Sequence, residues 1–162
     1  MIFVTVGTNE ARFDRLLEAV AALSISEELV VQHGHSSAIA ISQAETVDFL
    51  PFKEMVETIR RARAVVTHAG VGSIMVSLAN GRRPIVVPRR KAFGEAVDDH
   101  QLQLGRRFAE AGLVTLVEAP KQLGEALARP QQLATVETTG TLAADLRGYL
   151  ERTIGAPPAA SR

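Results

Sequence analysis

The chain contains no cysteine. That absence excludes a disulfide scaffold, a thiolate metal site and a cysteine nucleophile, and it is compatible with a reducing compartment. Charge of one sign is also lacking, because eighteen Lys and Arg balance eighteen Asp and Glu. A general nucleic-acid binder carries a basic excess, so no nucleic-acid partner is expected. No run reaches the ~18 uninterrupted apolar residues of a membrane span. Residues 1–7, MIFVTVG, have no basic lead and are too few for a secretory signal. They read instead as a buried strand. A cytoplasmic location is expected, with any membrane association passing through a surface patch or a partner.

What is present suits one domain with its own core: 162 residues, 46% of them apolar and 22% charged. Short apolar runs alternate with helical patterns. Strands are expected at 2–7, 28–34, 47–52, 64–70, 83–89 and 113–119. Helices are expected at 13–23, 53–62, 72–81, 98–112 and 121–129, with a last helical segment near 141–154. The domain is thus read as 1–154, and GAPPAASR at 155–162 as a disordered tail. Strands that alternate with helices predict an α/β fold: a Rossmann-like parallel sheet of about six strands with helices on both faces. Runs such as IVV and AVV agree, since strands buried on both sides need not alternate. Residues 90–97 form the longest irregular stretch inside the domain.

Ligands of open parallel sheets bind beyond the carboxyl ends of the strands. The unusual residues of this chain cluster there. In HAGVGS, Gly70 and Gly72 lack a Cβ, so a ligand can approach the backbone. Ser73 begins a helix whose first amides have no internal partner, and these amides suit a phosphate or diphosphate. The same residues also suit a tight strand-to-helix turn with a serine cap. The dinucleotide fingerprint is absent, because Met75 stands at its third glycine position. No phosphate loop ending in Gly-Lys-Ser/Thr is present either. DDHQ at 98–101 could grip sugar hydroxyls, or could simply supply an acidic first turn to a helix. His33, His35, His68 and His100 lack the spacing of a metal site. Ser73 does not sit in the elbow motif of serine hydrolases. Arg89, Arg90 and Lys91 follow a central strand, where they form a solvated face or contact an anion. Arg89 is the candidate for that contact.

FVTVGTNEARFDRLL, VVQHG, VDFLPF, VVTHAGVGSI, GRRPIVVPR and VDDHQLQLGRRFAEAGLV occur in this order. The set resembles the C-terminal, donor-binding half of family 28 glycosyltransferases over roughly residues 1–128. Within that family it is similar to small subunits of two-component transferases. These are the bacterial exopolysaccharide and capsule subunits of the PssE type, and the N-acetylglucosaminyltransferase subunit of the dolichol pathway.

The resemblance implies one half of a GT-B fold and an inverting hexosyltransferase that uses a UDP-sugar as substrate. It implies no cofactor and no metal, and the chain has no Asp-X-Asp motif. His68, Gly70, Gly72 and Ser73 would hold the donor diphosphate. Asp99, His100 and Gln101 would bind the donor sugar, and Leu50 and Phe52 would border the uracil. Gly7, Thr8, Asn9, Gln32 and Gly34 would face the acceptor side of the cleft. One departure stands out: many members carry a Glu on the ribose hydroxyls six residues after the first glycine, and this chain has Val76 there. A GT-B enzyme has two halves and this sequence supplies one. The acceptor site and the catalytic base are therefore expected on a membrane-anchored partner of the PssD type that presents a polyprenyl-diphosphate-linked glycan. That partner would hold the chain at the inner face of the cell membrane. The alternative is a nucleotide-sugar-binding regulatory module without catalysis.

Overall fold

The computed structural model describes residues 1–37 and 39–131. The expected helix at 141–154 and the tail at 155–162 lie outside the described residues. Six strands form one parallel sheet: β1 (Ile2–Thr5), β2 (Leu29–Gln32), β3 (Ala44–Val47), β4 (Ala64–His68), β5 (Ile85–Val87) and β6 (Thr115–Leu116). Their order across the sheet is β3-β2-β1-β4-β5-β6. The sheet is therefore doubly wound, as expected, and its direction of winding reverses between β1 and β4. Five helices connect or follow the strands: α1 (Asp14–Ala21), α2 (Phe52–Arg61), α3 (Val71–Ala79), α4 (His100–Glu110) and α5 (Leu123–Ala128).

The central strands are buried on both sides, and alternate residues serve different helices. Ile2 and Val4 of β1 face Leu16, Leu17 and Val20 of α1, together with Leu123 and Leu127 of α5. Phe3, between them, faces Ile59 of α2. On that second face Val86 packs with Ile74 and Leu78 of α3 and with Leu104 and Phe108 of α4. Gly105 lets α4 lie close to the sheet, because a Cβ there would come 2.9 Å from the Leu116 side chain. Burial of these side chains is the main force that holds the layers together, at roughly 1.5–3 kcal/mol for each large aliphatic or aromatic residue.

The third strand differs from its expectation at 47–52. Ala44–Val47 pairs with β2 at the sheet edge and is mostly exposed, so it carries no apolar signal. The apolar run that follows has other work. Leu50 packs against the cluster beneath α2, and Phe49 meets His35 edge-on with ring centroids 5.2 Å apart. The irregular stretch at 90–97 contains one 3-10 turn, Lys91–Phe93, closed by Gly94 at φ +69°. The sixth strand is shorter than expected, although Val114 and Val117 on either side of it are buried.

Candidate functional site

A cleft of about 490 Å³ opens beyond the carboxyl ends of β1 and β4, where the winding reverses. The start of α3 forms one side of it. Ile74 is the first residue of that helix whose N–H returns to a main-chain carbonyl, that of Gly70 at 3.1 Å. The amides of Val71, Gly72 and Ser73 find no acceptor among the described residues. They stand at the positive end of the helix dipole. A Cβ built on Gly72 meets nothing within 4 Å, so this position faces open space.

Gly70 serves a different purpose from the one its sequence context suggests. A Cβ there would lie 2.2 Å from Cε1 of His68, and a Cβ on Gly7 would lie 2.4 Å from its Nε2. Both glycines are bare so that one imidazole can fit between two loops. Gly7 also has φ +80°, which a side chain would strain. The ring is fixed by two bonds. Gly70 N–H donates to His68 Nδ1 at 3.1 Å, so Nδ1 is the unprotonated nitrogen and the proton resides on Nε2. Nε2–H then donates to Ser73 Oγ at 3.0 Å. Ser73 thereby accepts from the histidine and keeps its own hydroxyl proton for another acceptor. The unpaired amides of the helix start and the Ser73 hydroxyl are thus all donors, and Gly72 and Ser73 line the cleft.

His68 stays neutral. Burial, and next the positive charge of Arg89, push its pKa down from 6.5 to about 4, against the opposing effect of Gln101 as a hydrogen-bond acceptor. Between those two values the unfolded chain takes up a proton that the folded chain refuses. The His68 contribution to stability is therefore complete above pH 6.5 and is lost as pH falls toward 4. It amounts at most to about 3 kcal/mol. A His68→Gln variant is expected to unfold with a visibly flatter pH dependence across that window. Urea titrations of both proteins at pH 4.5, 5.5 and 7 check this, and parallel curves would contradict it.

The remaining expected residues separate into three groups. Thr8, Asn9, Gln32 and Phe52 line the cleft. Gln32 is 2% exposed, and its Oε1 accepts from the Thr5 hydroxyl at 3.1 Å. Its amide nitrogen has no partner among the described residues and is a further donor on the cleft floor. Asn9 uses its side-chain carbonyl in a local turn, accepting from Ala11 N–H at 2.8 Å. Gly34, at φ +55°, lies behind the wall, where a Cβ would strike the Gly7 carbonyl at 2.8 Å. Leu50 faces the α2 core rather than the cleft rim.

The DDHQ cluster divides. Asp99 Oδ1 accepts from Lys91 N–H at 3.1 Å and Arg90 Nε at 3.3 Å, so it closes the preceding loop. His100 is exposed, with its ring beside Asp98. Gln101 reaches the site: its Oε1 accepts from Ala69 N–H at 3.2 Å and from Arg89 N–H at 3.1 Å. One amide oxygen thus staples the ends of β4 and β5 to α4. Gln101→Ala is expected to cost about 1–3 kcal/mol, because two main-chain donors lose their acceptor. Gln101→Glu keeps an acceptor there and is expected to keep the stability. Thermal melts followed by circular dichroism distinguish the pair, and equal losses would remove the staple from the account.

Arg89, the candidate for an anion contact, is not among the residues that line the cleft. It is 1% exposed. Its guanidinium donates to four main-chain carbonyls: Ala11 at 2.7 Å, Arg12 at 3.1 Å, Glu95 at 3.3 Å and Val6 at 2.9 Å. It also lies over the Phe13 ring, 4.7 Å from the centroid. Its charge reaches the site only as a field, felt by His68. The sequence held no local sign of a second buried group, Glu95, which is 5% exposed. Glu95 grips Arg15 through both carboxylate oxygens, at 2.7 and 2.8 Å, and accepts from Arg90 N–H. That clasp ties the 90–97 loop to α1. Among the described residues no group of three or more His, Asp or Glu could hold a metal ion, and no helix is long and apolar enough to cross a membrane.

Comparison with known proteins gives this geometry a setting. The glycosyltransferase family 28 C-terminal domain matches residues 1–143. The human protein named UDP-N-acetylglucosamine transferase subunit ALG13 is 27% identical over 93% of this chain, which spans 15% of that relative's length. Among solved structures, the calicheamicin glycosyltransferase CalG4 superposes on 96% of the chain with a TM-score of 0.59 at 20% identity. Acinetobacter baumannii MurG superposes on 92% with a TM-score of 0.58 at 18% identity. The chain covers 44% and 49% of those two molecules, which share its fold.

Proposed function

The chain belongs to the glycosyltransferase family 28 C-terminal domain family, and from that premise we propose that it is the donor-binding subunit of a two-component transferase. The observation that carries this reading is the open start of α3: three unpaired amides and the Ser73 hydroxyl, all donors, around a glycine with free space above it. That end of the cleft takes the diphosphate of a UDP-sugar. The nucleoside extends toward Phe52 and Met55, and the sugar lies toward Gln101 and the loop before α4.

The transfer itself is a displacement at the anomeric carbon. An acceptor hydroxyl oxygen forms the new bond to that carbon on the face opposite the leaving group. The bond from carbon to the diphosphate oxygen breaks, and its electron pair leaves with UDP. A base takes the acceptor proton. Negative charge grows on the departing diphosphate, where the α3 amides and Ser73 stabilise it without rearranging. Neutral His68 is no proton carrier at ordinary pH. It is a positioning residue that aims the Ser73 hydroxyl.

The base and the acceptor site lie on a membrane-anchored partner, of the kind described as PssD-like, that presents a polyprenyl-diphosphate-linked glycan. One point supports a partner: the relative is itself named as a subunit. Exopolysaccharide or capsule assembly at the inner face of the cell membrane is the setting in which such a lipid-linked acceptor is used. Calorimetry with UDP tests donor binding, and turnover with and without the acceptor subunit tests the division of labour. Binding of UDP with no transfer by the chain alone is expected. Robust transfer to a lipid-linked acceptor by the isolated chain would overturn the two-subunit reading.

A further inference from the structure

The wall of the cleft beyond the anion end is apolar. Val76 stands three and four residues after Ser73 and Gly72 and so shares their face of α3. Phe52 and Met55 of α2 line the same cleft. Met55 and Val76 also pack on the core cluster below. Polar side chains farther along α3 are already engaged. Ser77 is 1% exposed and donates to the Ser73 carbonyl at 2.9 Å. Asn80 donates to the Val76 carbonyl at 2.8 Å and accepts from Arg60 at 2.7 Å. Among the described residues no carboxylate lines the cleft.

A nucleotide held by its diphosphate at Gly72 and Ser73 lays its pentose against this wall, an inference that rests on the donor-site reading above. We propose that the site does not read the 2′-hydroxyl, that it takes ribo- and deoxyribonucleoside diphosphates alike, and that Val76 is the residue responsible. A hydroxyl facing Val76 and Met55 gains no acceptor from the protein and keeps water at the open mouth of the cleft. Its removal therefore costs the ligand almost nothing. A carboxylate at position 76 would reverse this, since a hydrogen bond to a charged acceptor is worth roughly tenfold or more in affinity.

Calorimetry with UDP and 2′-deoxy-UDP on the full chain tests the proposal. UDP is expected to bind no more than ~3-fold tighter than its deoxy analogue, well under the value of one charged hydrogen bond. Thymidine diphosphate should bind comparably. A larger preference for UDP overturns the proposal while leaving the donor-site reading intact. Failure of both nucleotides to bind overturns the two together. Val76→Glu, checked for folding by circular dichroism, should move the ratio toward UDP by about tenfold. If a folded Val76→Glu protein keeps the original ratio, Val76 is not the residue that sets it.

Discussion

Gly72→Asp abolishes UDP binding and leaves the fold intact: that is the expected result for the smallest change that fills the centre of the site. A Cβ at Gly72 meets no atom within 4 Å, and Gly72 is helical, so the substitution strains neither packing nor backbone. Aspartate in the first turn of a helix is, if anything, stabilising, because it complements the helix dipole. The same carboxylate would lie about 5 Å from a bound diphosphate. At an effective dielectric near 20, one such pair of like charges repels by about 3 kcal/mol, more than a hundredfold in affinity. Gly72→Ala adds bulk without charge and should fall between the two. Calorimetry with UDP, alongside thermal melts, checks both parts. A folded Gly72→Asp protein that binds UDP as the parent does would place the nucleotide elsewhere. Gly70→Ala makes the contrast, since its Cβ collides with His68 and the expected loss is of structure first.

Arg89→Ala is expected to damage the fold rather than the binding step. The substitution would strand the carbonyls of Val6, Ala11, Arg12 and Glu95, which converge on one buried guanidinium from two loops. Burial already holds that guanidinium below its ordinary pKa, with the Glu95 carboxylate working the other way. The bonds and the Phe13 stacking compensate for the desolvation. Removing one partner from such a set costs about 3–5 kcal/mol, which for a chain of this size lowers the melting temperature by roughly 10–15 °C. Lysine should rescue little, because one ammonium cannot reproduce the planar fork that spans four acceptors. Urea denaturation gives the stability directly. An unchanged midpoint, with UDP affinity lost, would return Arg89 to the role of an anion contact.

The two substitutions show where the sequence was transparent. The pair Gly70-x-Gly72 after an apolar run, with Ser73 opening a helix, is a local signal, and local geometry realises it: amides within one helical turn need no distant residue to be exposed. Alternation of apolar runs with helical periodicity likewise led to the doubly wound sheet, because burial on both faces leaves its mark on each strand separately. The family resemblance drawn from the ordered motifs agrees with the family match over residues 1–143.

Long-range contacts were not legible. Arg89 meets Val6 across 83 positions, and Arg15 meets Glu95 across 80, so nothing in the neighbourhood of either arginine distinguishes a core residue from a surface one. Gly7 and Gly70 look alike as turn glycines, yet each is bare because of the same His68 ring, which only the pairing of β1 with β4 brings between them. The edge strand β3 was misplaced because an exposed edge needs no apolar residues, while the apolar run beside it serves α2 and His35. By itself, then, the sequence determined the layers of the fold and the position of a helix start with unpaired amides, since both follow from period and backbone chemistry within a few residues. Tertiary structure alone decided which glycine faces open space, which faces a histidine and which arginine is consumed by the core, because those outcomes depend on what the closing sheet places opposite each residue.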